Sequence, residues 1–358
     1  MSPKSDLLEA FTADKALHIA FLQSFVRPLP QTHPGSTEAA AKVLTTYLAS
    51  QNISYTLIEP QAGKPNIVCE FSGGAGPGPR VILNGHIDVF PSTHNNISMG
   101  PRPLAREHLR GSVALCAVSD EETGGRWGTQ YLIKQNKERW GGDVMFSAEP
   151  RGRTIWFSEK GTLRVSGSVR MKGAHGAYLD VEGYSHGDSI LNDVIDAVES
   201  IEPTPPPEIA LYLLNTMVLR AVDEAIGADI GTISGGVKVS MIPDHCAFEL
   251  DIRLPIGLVA ETVMGVIDDI ARKRKAASNP SGFSAIDHPT INVIKDNTEA
   301  TGIDEERPVM IPSMGATDCK HYRYAGVPAY VYGFSPLTTS VNEFLHVTKV
   351  HALTLWDF

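Results

Sequence analysis

The chain has 358 residues, of which 42% are apolar, and a formal net charge of −10. This length predicts two domains, and the acidic balance argues against a nucleic-acid partner, which would require a basic face. No stretch approaches the roughly 18 consecutive apolar residues of a membrane span, and the first residues lack the apolar core of a signal peptide. We therefore expect a cytoplasmic location with no membrane partner. The four scattered cysteines include no CxxC pair and predict buried free thiols.

Residues 1–160 alternate between helical and extended patterns. A first helix and a second one in "HPGSTEAAAKVLTTYLASQN" precede strand-like runs at "ISYTLI", "PNIVCEF", "RVILNG" and "GSVALCAV", then a helix at "GTQYLIKQNK" and a strand at "GDVMFSA". This alternation predicts a three-layer α/β domain. Ligands of such sheets collect beyond the carboxyl ends of the strands, so the polar residues that follow three of these strands could converge there.

Residues 161–280 differ in pattern and predict a second domain inserted into the first. The strand "TLRVSGSVRMKG", the helix "GDSILNDVIDAVESI", two further strands and a helix from about Val259 to Arg274 fit an α+β sandwich with helices on one face. The run "RKRK" at 272–275 could be a nuclear signal, but a cationic helix end is favoured because cations suit a helix C-terminus. Residues 281–358 resume the first domain, with strands at "RPVMIP" and "PAYVYG" and a closing helix at "NEFLHVTKVHALTLWDF".

Two polar residues, His86 and Asp88, follow the apolar run that begins at residue 81. Side chains two residues apart in an extended segment point to the same side, where a carboxylate can accept the second ring N–H of a metal-bound imidazole. A satisfied polar pair at a strand end is an equally good interpretation of these two residues alone.

Three successive carboxylates, Asp120, Glu121 and Glu122, follow the apolar strand "SVALCAV". Like charges so close together are unfavourable unless cations or protons compensate them, and a divalent metal would do so. The alternative is a solvated acidic turn. Glu149 ends another apolar strand, in "FSAEP", and adds a third acidic position of the same kind.

Six segments, in order along the chain, resemble the M20 metallopeptidases. They are "VILNGHIDVFP", "SDEETGGRWGT", "SAEP", "EKGTLRVSGSVRMKGAHGAY", "GTISGGVKVSMIPDHCAFELDIRLP" and "MGATDCKHYRYAGVPAYVYG". That family includes acetylornithine deacetylase, succinyl-diaminopimelate desuccinylase, aminoacylase and glutamate carboxypeptidase. The resemblance spans nearly the whole chain and implies a zinc-binding catalytic domain interrupted by a ferredoxin-like lid domain that often dimerises.

The resemblance also implies roles for individual residues. His86 resembles a zinc ligand, Asp88 its orienting partner, and Glu149 a second ligand of the same zinc. Glu122 resembles a ligand of the other zinc, and Glu121 resembles the general base that takes a proton from water and hands it to the leaving amine.

Two residues of the inserted domain also match the family pattern. His175 in "GAHGAY" resembles the histidine that, in dimeric members, reaches the partner's site and stabilises the oxyanion. Arg253 in "DIRLP" resembles a residue associated with the substrate carboxylate, the alternative being a surface ion pair with Asp251 or Asp244. The implied reaction is hydrolysis of an amide bond in an N-acyl amino acid or small peptide by a homodimer that uses zinc, or else cobalt or manganese.

Two features of the family are missing. Its members carry an Asp that bridges both metals between the HxD and DEE strands, but this chain has no Asp between Asp88 and Asp120, so no bridging Asp is found. Most members also place a metal-binding His shortly before an (N/D)E pair, but "SPLTTSV" before Asn342 and Glu343 has none. His346 is a fallback ligand, although an ordinary helix explains its spacing better.

The ligand count decides what these losses mean. Catalytic zinc normally has three protein ligands plus water, and neither implied site reaches three. The sequence therefore predicts weak metal binding and poor hydrolysis unless His94, His321 or His346 serves as an improvised ligand. Three hypotheses remain: a zinc-dependent amidohydrolase, a metal-poor homologue acting as a dimeric binding or scaffold protein, and an active member whose written sequence omits a coding segment near Met99 and Gly100.

Overall fold

The described part of the chain forms two compact units. A computed structural model describes residues 9, 12–26, 36–88, 109–147, 149, 154–170, 173–175, 187–214, 227–238, 240–270, 274–301, 307–313, 317–333 and 341–357. Unit 1 comprises Met1–Phe157, Ser284–Ile311 and Thr317–Phe358, and unit 2 comprises Ser158–Phe283 and Pro312–Ala316. Among the described residues, no helix is long and apolar enough to cross a membrane.

Secondary structure begins with two helices and continues with alternating strands and helices. The elements up to residue 147 are α1 (Lys15–Val26), α2 (Glu38–Ser50), β1 (Thr56–Ile58), β2 (Asn66–Ser72), β3 (Arg80–His86), β4 (Ser112–Val118), a 3-10 turn (Glu121–Thr123), α3 (Thr129–Gln135), α4 (Lys137–Gly141) and β5 (Val144–Ser147).

The remaining elements cover the second unit and the return to the first. They are β6 (Thr154–Glu159), β7 (Gly161–Arg170), β8 (Ala174–His175), α5 (Gly187–Glu199), α6 (Pro207–Leu214), β9 (Gly227–Gly235), β10 (Met241–Ile242), β11 (His245–Leu254), α7 (Ala260–Ile270), β12 (Arg274–Asn279), β13 (Gly282–Phe283), α8 (Pro289–Ala300), β14 (Val309–Ser313), α9 (Cys319–Tyr324), β15 (Ala329–Tyr332) and α10 (Val341–Trp356).

A mixed sheet with the order β1-β2-β4-β3-β5-β15-β6-β13 organises the first unit, and β14 also pairs with β6. Its central strands β4, β3, β5 and β15 run parallel to one another, whereas β1 and β2 are antiparallel to their neighbours. The carboxyl ends of β4, β3 and β5 therefore lie at one edge. Together with the helices, this sheet confirms the predicted α/β fold class.

Helices cover both faces of this sheet. Ile67 and Cys69 of β2 share a buried cluster with α2, represented by Leu44 and Leu48. The intervening Val68 belongs to a second cluster on the opposite face, which contains these residues of α3, α4 and α9: Leu132, Trp140, Cys319 and Tyr322. Because successive side chains of a strand point to opposite faces, the two clusters define two helical layers around the sheet.

The second unit contains an antiparallel sheet in the order β12-β7-β11-β9. Apolar residues of β7 and β11 share one buried cluster with α5 and α7, so both helices cover the same face of this sheet. The prediction of a cationic helix end at 272–275 is wrong for residues 274 and 275, because Arg274 and Lys275 lie in β12 and pair with β7. Residues 272 and 273 lie outside the described part of the chain. The helix before them ends at Ile270, and the edge of the sheet determines the conformation of the residues from 274 onward.

Candidate active site

Three parallel strands end beside one another, and acidic or imidazole side chains follow each of them. In β3, His86 is level with Val118 of β4, and Asn84 is level with Ser147 of β5. The continuous apolar character of these strands suits a sheet that is covered on both faces. The chain therefore delivers the residues after β3, β4 and β5 to the same edge.

His86 is held by carboxylates on both ring nitrogens. Its Nδ1 lies 2.8 Å from the backbone oxygen of Asp88 and 3.3 Å from Asp88 Oδ1. Both partners only accept, so Nδ1 carries a proton and the ring is fixed with Nε2 pointing the other way. There Nε2 lies 3.3 Å from Glu149 Oε1. An imidazole fixed in this way through Nδ1–H has the orientation that histidine ligands of metals adopt.

The carboxylate of Asp88 also fixes the acidic turn after β4. The backbone N–H of Glu121 donates to Asp88 Oδ1 and that of Glu122 donates to Asp88 Oδ2, both at 3.1 Å. One side chain thus orients the imidazole and anchors the backbone of the two following glutamates. Asp120 acts within the turn, where its carboxylate accepts the N–H groups of Trp127 and Gly128 at 2.7 Å each.

Burial and crowding perturb the charges of these groups. Burial raises the pKa of Glu121 to about 8, with the carboxylates of Asp318 and Glu149 adding to this rise and His86 opposing it. Burial alone would lower the pKa of His86, but Glu149 and Asp88 outweigh it and hold this pKa well above its usual range. Without a metal, protons therefore compensate the negative charge of the cluster. A divalent cation would displace them, because it offers the same compensation at one point.

The donor atoms fit one metal ion. His86, Glu121 and Glu122 each offer a ligand atom, and these atoms lie within 4.8 Å of one another. Glu149 adds a further carboxylate on the free side of the imidazole. A mixed nitrogen and carboxylate donor set is one of those that catalytic zinc uses, with a remaining position open to water. Among the described residues, this is the cluster that meets the distance condition.

The family model for peptidase family M20/M25/M40 matches residues 102–354. The chain belongs to this family. The predicted resemblance is thereby confirmed at the level of the family, which makes the chain a metallo-hydrolase by descent. The matched segment begins after Asp88 and includes Glu121, Glu122 and Glu149. A comparison with curated proteins finds no match.

Solved structures share the fold over nearly the full length. Aminopeptidase PepT from Bacillus cereus is 15% identical, with 98% of each chain covered and a TM-score of 0.69. The di-peptidase Dug1p from Saccharomyces cerevisiae is 13% identical, with 99% of this chain and 98% of that one covered and a TM-score of 0.70. The Bacillus subtilis YXEP protein, described as a dinuclear metal-binding peptidase of the M20 family, is 14% identical, with 98% of each chain covered and a TM-score of 0.61.

Other residues singled out from the sequence lie in unit 2, on α10 or outside the described residues of this M20 chain. His175 is paired through its backbone with Met241 in unit 2, and its side chain lies outside the described part. Arg253, also in unit 2, forms the ion pair with Asp251 at 2.7 Å that was the alternative to a role in substrate binding. His346 lies on α10 with its side chain outside the described part, and His94 falls wholly outside the described residues.

Asp318 was not predicted from the sequence to act at the site, although its charge helps to raise the pKa of Glu121. It sits at the start of α9, and the Thr129 hydroxyl donates a hydrogen bond to its Oδ2. His321, three residues further on, has its Nε2 3.2 Å from the backbone oxygen of Gly124. A polar Thr-Asp pair before a short helix, after a strand, was the local signal that could have drawn attention to this segment.

Proposed function

We propose that the chain hydrolyses an amide bond of an N-acyl amino acid or small peptide, with metal bound by His86 and Glu149 at one position and by Glu122 at a second, as in the family. Zinc is the expected metal, with cobalt or manganese as alternatives. The observation that carries the proposal is the orientation of His86, whose Nδ1 is occupied by Asp88 while Nε2 lies 3.3 Å from Glu149. The turn that Asp88 anchors adds Glu121 and Glu122 to the same cluster.

Glu121 is the general base of the proposed reaction. Burial raises its pKa to about 8 in the metal-free site, and a nearby cation would lower that value so that the side chain is ionised at neutral pH. The carboxylate takes a proton from water as the water oxygen bonds to the amide carbon, and it returns the proton to the amine nitrogen as the C–N bond breaks. A bound metal supplies Lewis acidity and lowers the pKa of water.

Unit 2 is proposed as the lid and as the dimerisation domain, with His175 as the oxyanion donor and Arg253 as the partner of a substrate carboxylate. These roles rest on the resemblance of their sequence segments to the family. For Arg253 to act on substrate, its guanidinium must share or exchange its contact with Asp251, which binds both Nε and Nη2. A cytoplasmic location is proposed on the sequence alone.

A second candidate is a metal-poor homologue that acts as a dimeric binding or scaffold protein. The sequence favours it at one point, since no Asp occurs between Asp88 and Asp120 to bridge two ions. A coding segment missing from the written sequence would have the same effect. Genomic DNA between the codons for Phe90 and Leu104 separates these explanations: an in-frame stretch encoding an Asp-Met-Lys-like motif supports the omission, and an uninterrupted junction excludes it.

Hydrolysis itself is tested with a panel of N-acyl amino acids and dipeptides, with and without a chelator. We expect chelator-sensitive release of amino acids that Glu121→Gln abolishes. Glu138→Gln is the matched control, because Glu138 is an exposed carboxylate of α4 and the variant should keep full activity. Less than one zinc ion per several chains, together with no turnover on any member of the panel, would favour the binding protein over the enzyme.

A further inference from the structure

The turn that carries Glu121 and Glu122 is hydrogen-bonded along its whole length. Besides the amides that Asp88 and Asp120 accept, the N–H of Gly124 donates to Glu121 O at 2.8 Å, and the N–H of Gly125 donates to Asp120 O at the same distance. Gly124 and Gly125 adopt left-handed backbone conformations, with φ of 100° and 70°. The two glutamates thus occupy a closed, glycine-dependent turn whose shape determines where their carboxylates point.

The first residues of α9 pack directly against this turn. Nε2 of His321 lies 3.2 Å from Gly124 O, and because a carbonyl only accepts, Nε2 carries the proton and donates it. A Cβ added to Gly125 would lie 2.5 Å from Asp318 Oδ1 and 2.9 Å from His321 Nε2. A side chain at position 125 would therefore collide with Asp318 and His321, so the turn and the start of α9 are in close contact at this glycine.

Asp318 is in turn anchored to the strand that carries His86. The Thr129 hydroxyl donates to Asp318 Oδ2 and accepts from Asn84 Nδ2 at 3.0 Å. Asn84 precedes His86 by two residues on β3 and also contacts the Tyr322 hydroxyl of α9 at 3.3 Å. A buried polar chain thus joins the His86 strand, the start of α3 and α9.

We propose that Asp318 and His321 are positioning residues, which hold the Glu121–Glu122 turn in the geometry that binds the metal. This inference rests on the proposed function for its consequence, because the turn matters only if its glutamates serve the metal site. His321 then acts through the Gly124 carbonyl and not as a replacement ligand, because among the described residues it is not part of the group of donor atoms formed by His86, Glu121 and Glu122. Replacing residues that orient metal ligands typically lowers metal affinity ten- to a hundred-fold.

The test compares His321→Leu with His321→Gln, whose amide can still donate to Gly124. His351 provides the matched control, since it is a second imidazole whose Nε2 meets a backbone carbonyl, that of Tyr332 at 2.7 Å. Zinc affinity is measured on the full chain by competition with a chromogenic chelator. Hydrogen exchange of residues 120–128 is measured separately in EDTA, and melting temperatures are recorded for all variants.

We expect His321→Leu to raise the zinc Kd about tenfold and His321→Gln to restore most of the affinity. In EDTA, exchange over 120–128 should accelerate about fivefold for His321→Leu, as the loss of one hydrogen bond implies. His351→Leu should lower the melting temperature but leave the zinc Kd and the exchange rate over 120–128 unchanged. Unchanged exchange in His321→Leu, or an equal effect of His351→Leu, overturns the positioning role. If the wild-type chain binds no zinc, the proposed function fails and the exchange measurement alone decides the positioning role.

Discussion

Replacing Asp88 with asparagine tests how the site is assembled, independently of any metal. The amides of Glu121 and Glu122 each lie 3.1 Å from a separate oxygen of this buried carboxylate. A hydrogen bond to a charged group contributes about 1.5–3 kcal/mol, and a buried donor left unpaired costs about 1–3 kcal/mol. Asp88→Asn keeps one oxygen but turns an NH2 group toward the second amide. We expect the free energy of unfolding to fall by about 2–4 kcal/mol at pH 7.

The measurement is urea denaturation of the full chain in excess EDTA. Asp120→Asn is the matched control, because Asp120 also accepts two backbone amides, from Trp127 and Gly128. Burial raises the pKa of Asp120, and the charges of Asp318 and Asp88 raise it further. Because a neutral side chain at this position relieves that repulsion, Asp120→Asn should cost less folding stability than Asp88→Asn. A decrease in the free energy of unfolding of less than about 1 kcal/mol for Asp88→Asn, or equal decreases for the two variants, would refute the reasoning.

The pH dependence of the same variant provides a second check. Burial would raise the pKa of Asp88, but the hydrogen bond and charge of His86 hold it below its usual range. A carboxyl whose pKa is lowered on folding stabilises the fold fully above its unfolded pKa, near pH 4, and loses this contribution as pH falls through the folded value. The difference in stability between wild type and Asp88→Asn should therefore shrink in acid.

Two further perturbations follow from the same contacts. Gly125→Ala should lower zinc affinity and stability more than Gly326→Ala. The two glycines have similar φ, 70° and 74°, but only at Gly125 would an added Cβ meet Asp318 and His321. Equal losses of stability in urea denaturation and of affinity in zinc titration would contradict this. The raised pKa of Glu121, about 8, predicts that the metal-free chain loses stability as pH rises from about 4.5 to 8, because the folded state holds a proton that the unfolded state releases. The free energy of unfolding, measured by urea denaturation in EDTA, should fall by up to about 1.4 kcal/mol per pH unit because of this proton, and Glu121→Gln should remove this pH dependence. An unchanged pH dependence in Glu121→Gln would show that Glu121 is not the group that titrates.

The parts of the fold that could be predicted are those with a strong local signal. The runs that became β3, β4 and β5 are continuous and apolar because both faces of the sheet are covered, so their pattern is visible without knowledge of their neighbours. By contrast, β12 has the sequence "RKAASN", which carries no strand pattern, and it is extended because β7 offers it an edge to pair with. The helix α8 was not predicted, although His288 caps it and Pro289 occupies its first turn.

The same distinction applies to the site. The strand-end positions of His86, Glu121 and Glu149 could be predicted to converge, because parallel strands bring their carboxyl ends to one edge. Asp318 and His321 could not, because they lie nearly two hundred residues beyond Gly124 and reach it only through the packing of α9 on the sheet. That Asp88 anchors two backbone amides could not be predicted either, since it depends on the register of β3 against β4.

The central claim is that His86, Glu122 and Glu149 are metal ligands, and metal content tests it most directly. The full chain, loaded with zinc and freed of excess metal by gel filtration, is analysed by elemental spectrometry beside His86→Ala. We expect about one zinc ion per chain in the wild type and a large loss of zinc in His86→Ala. Less than one zinc ion per several wild-type chains, or equal zinc in both proteins, would contradict it.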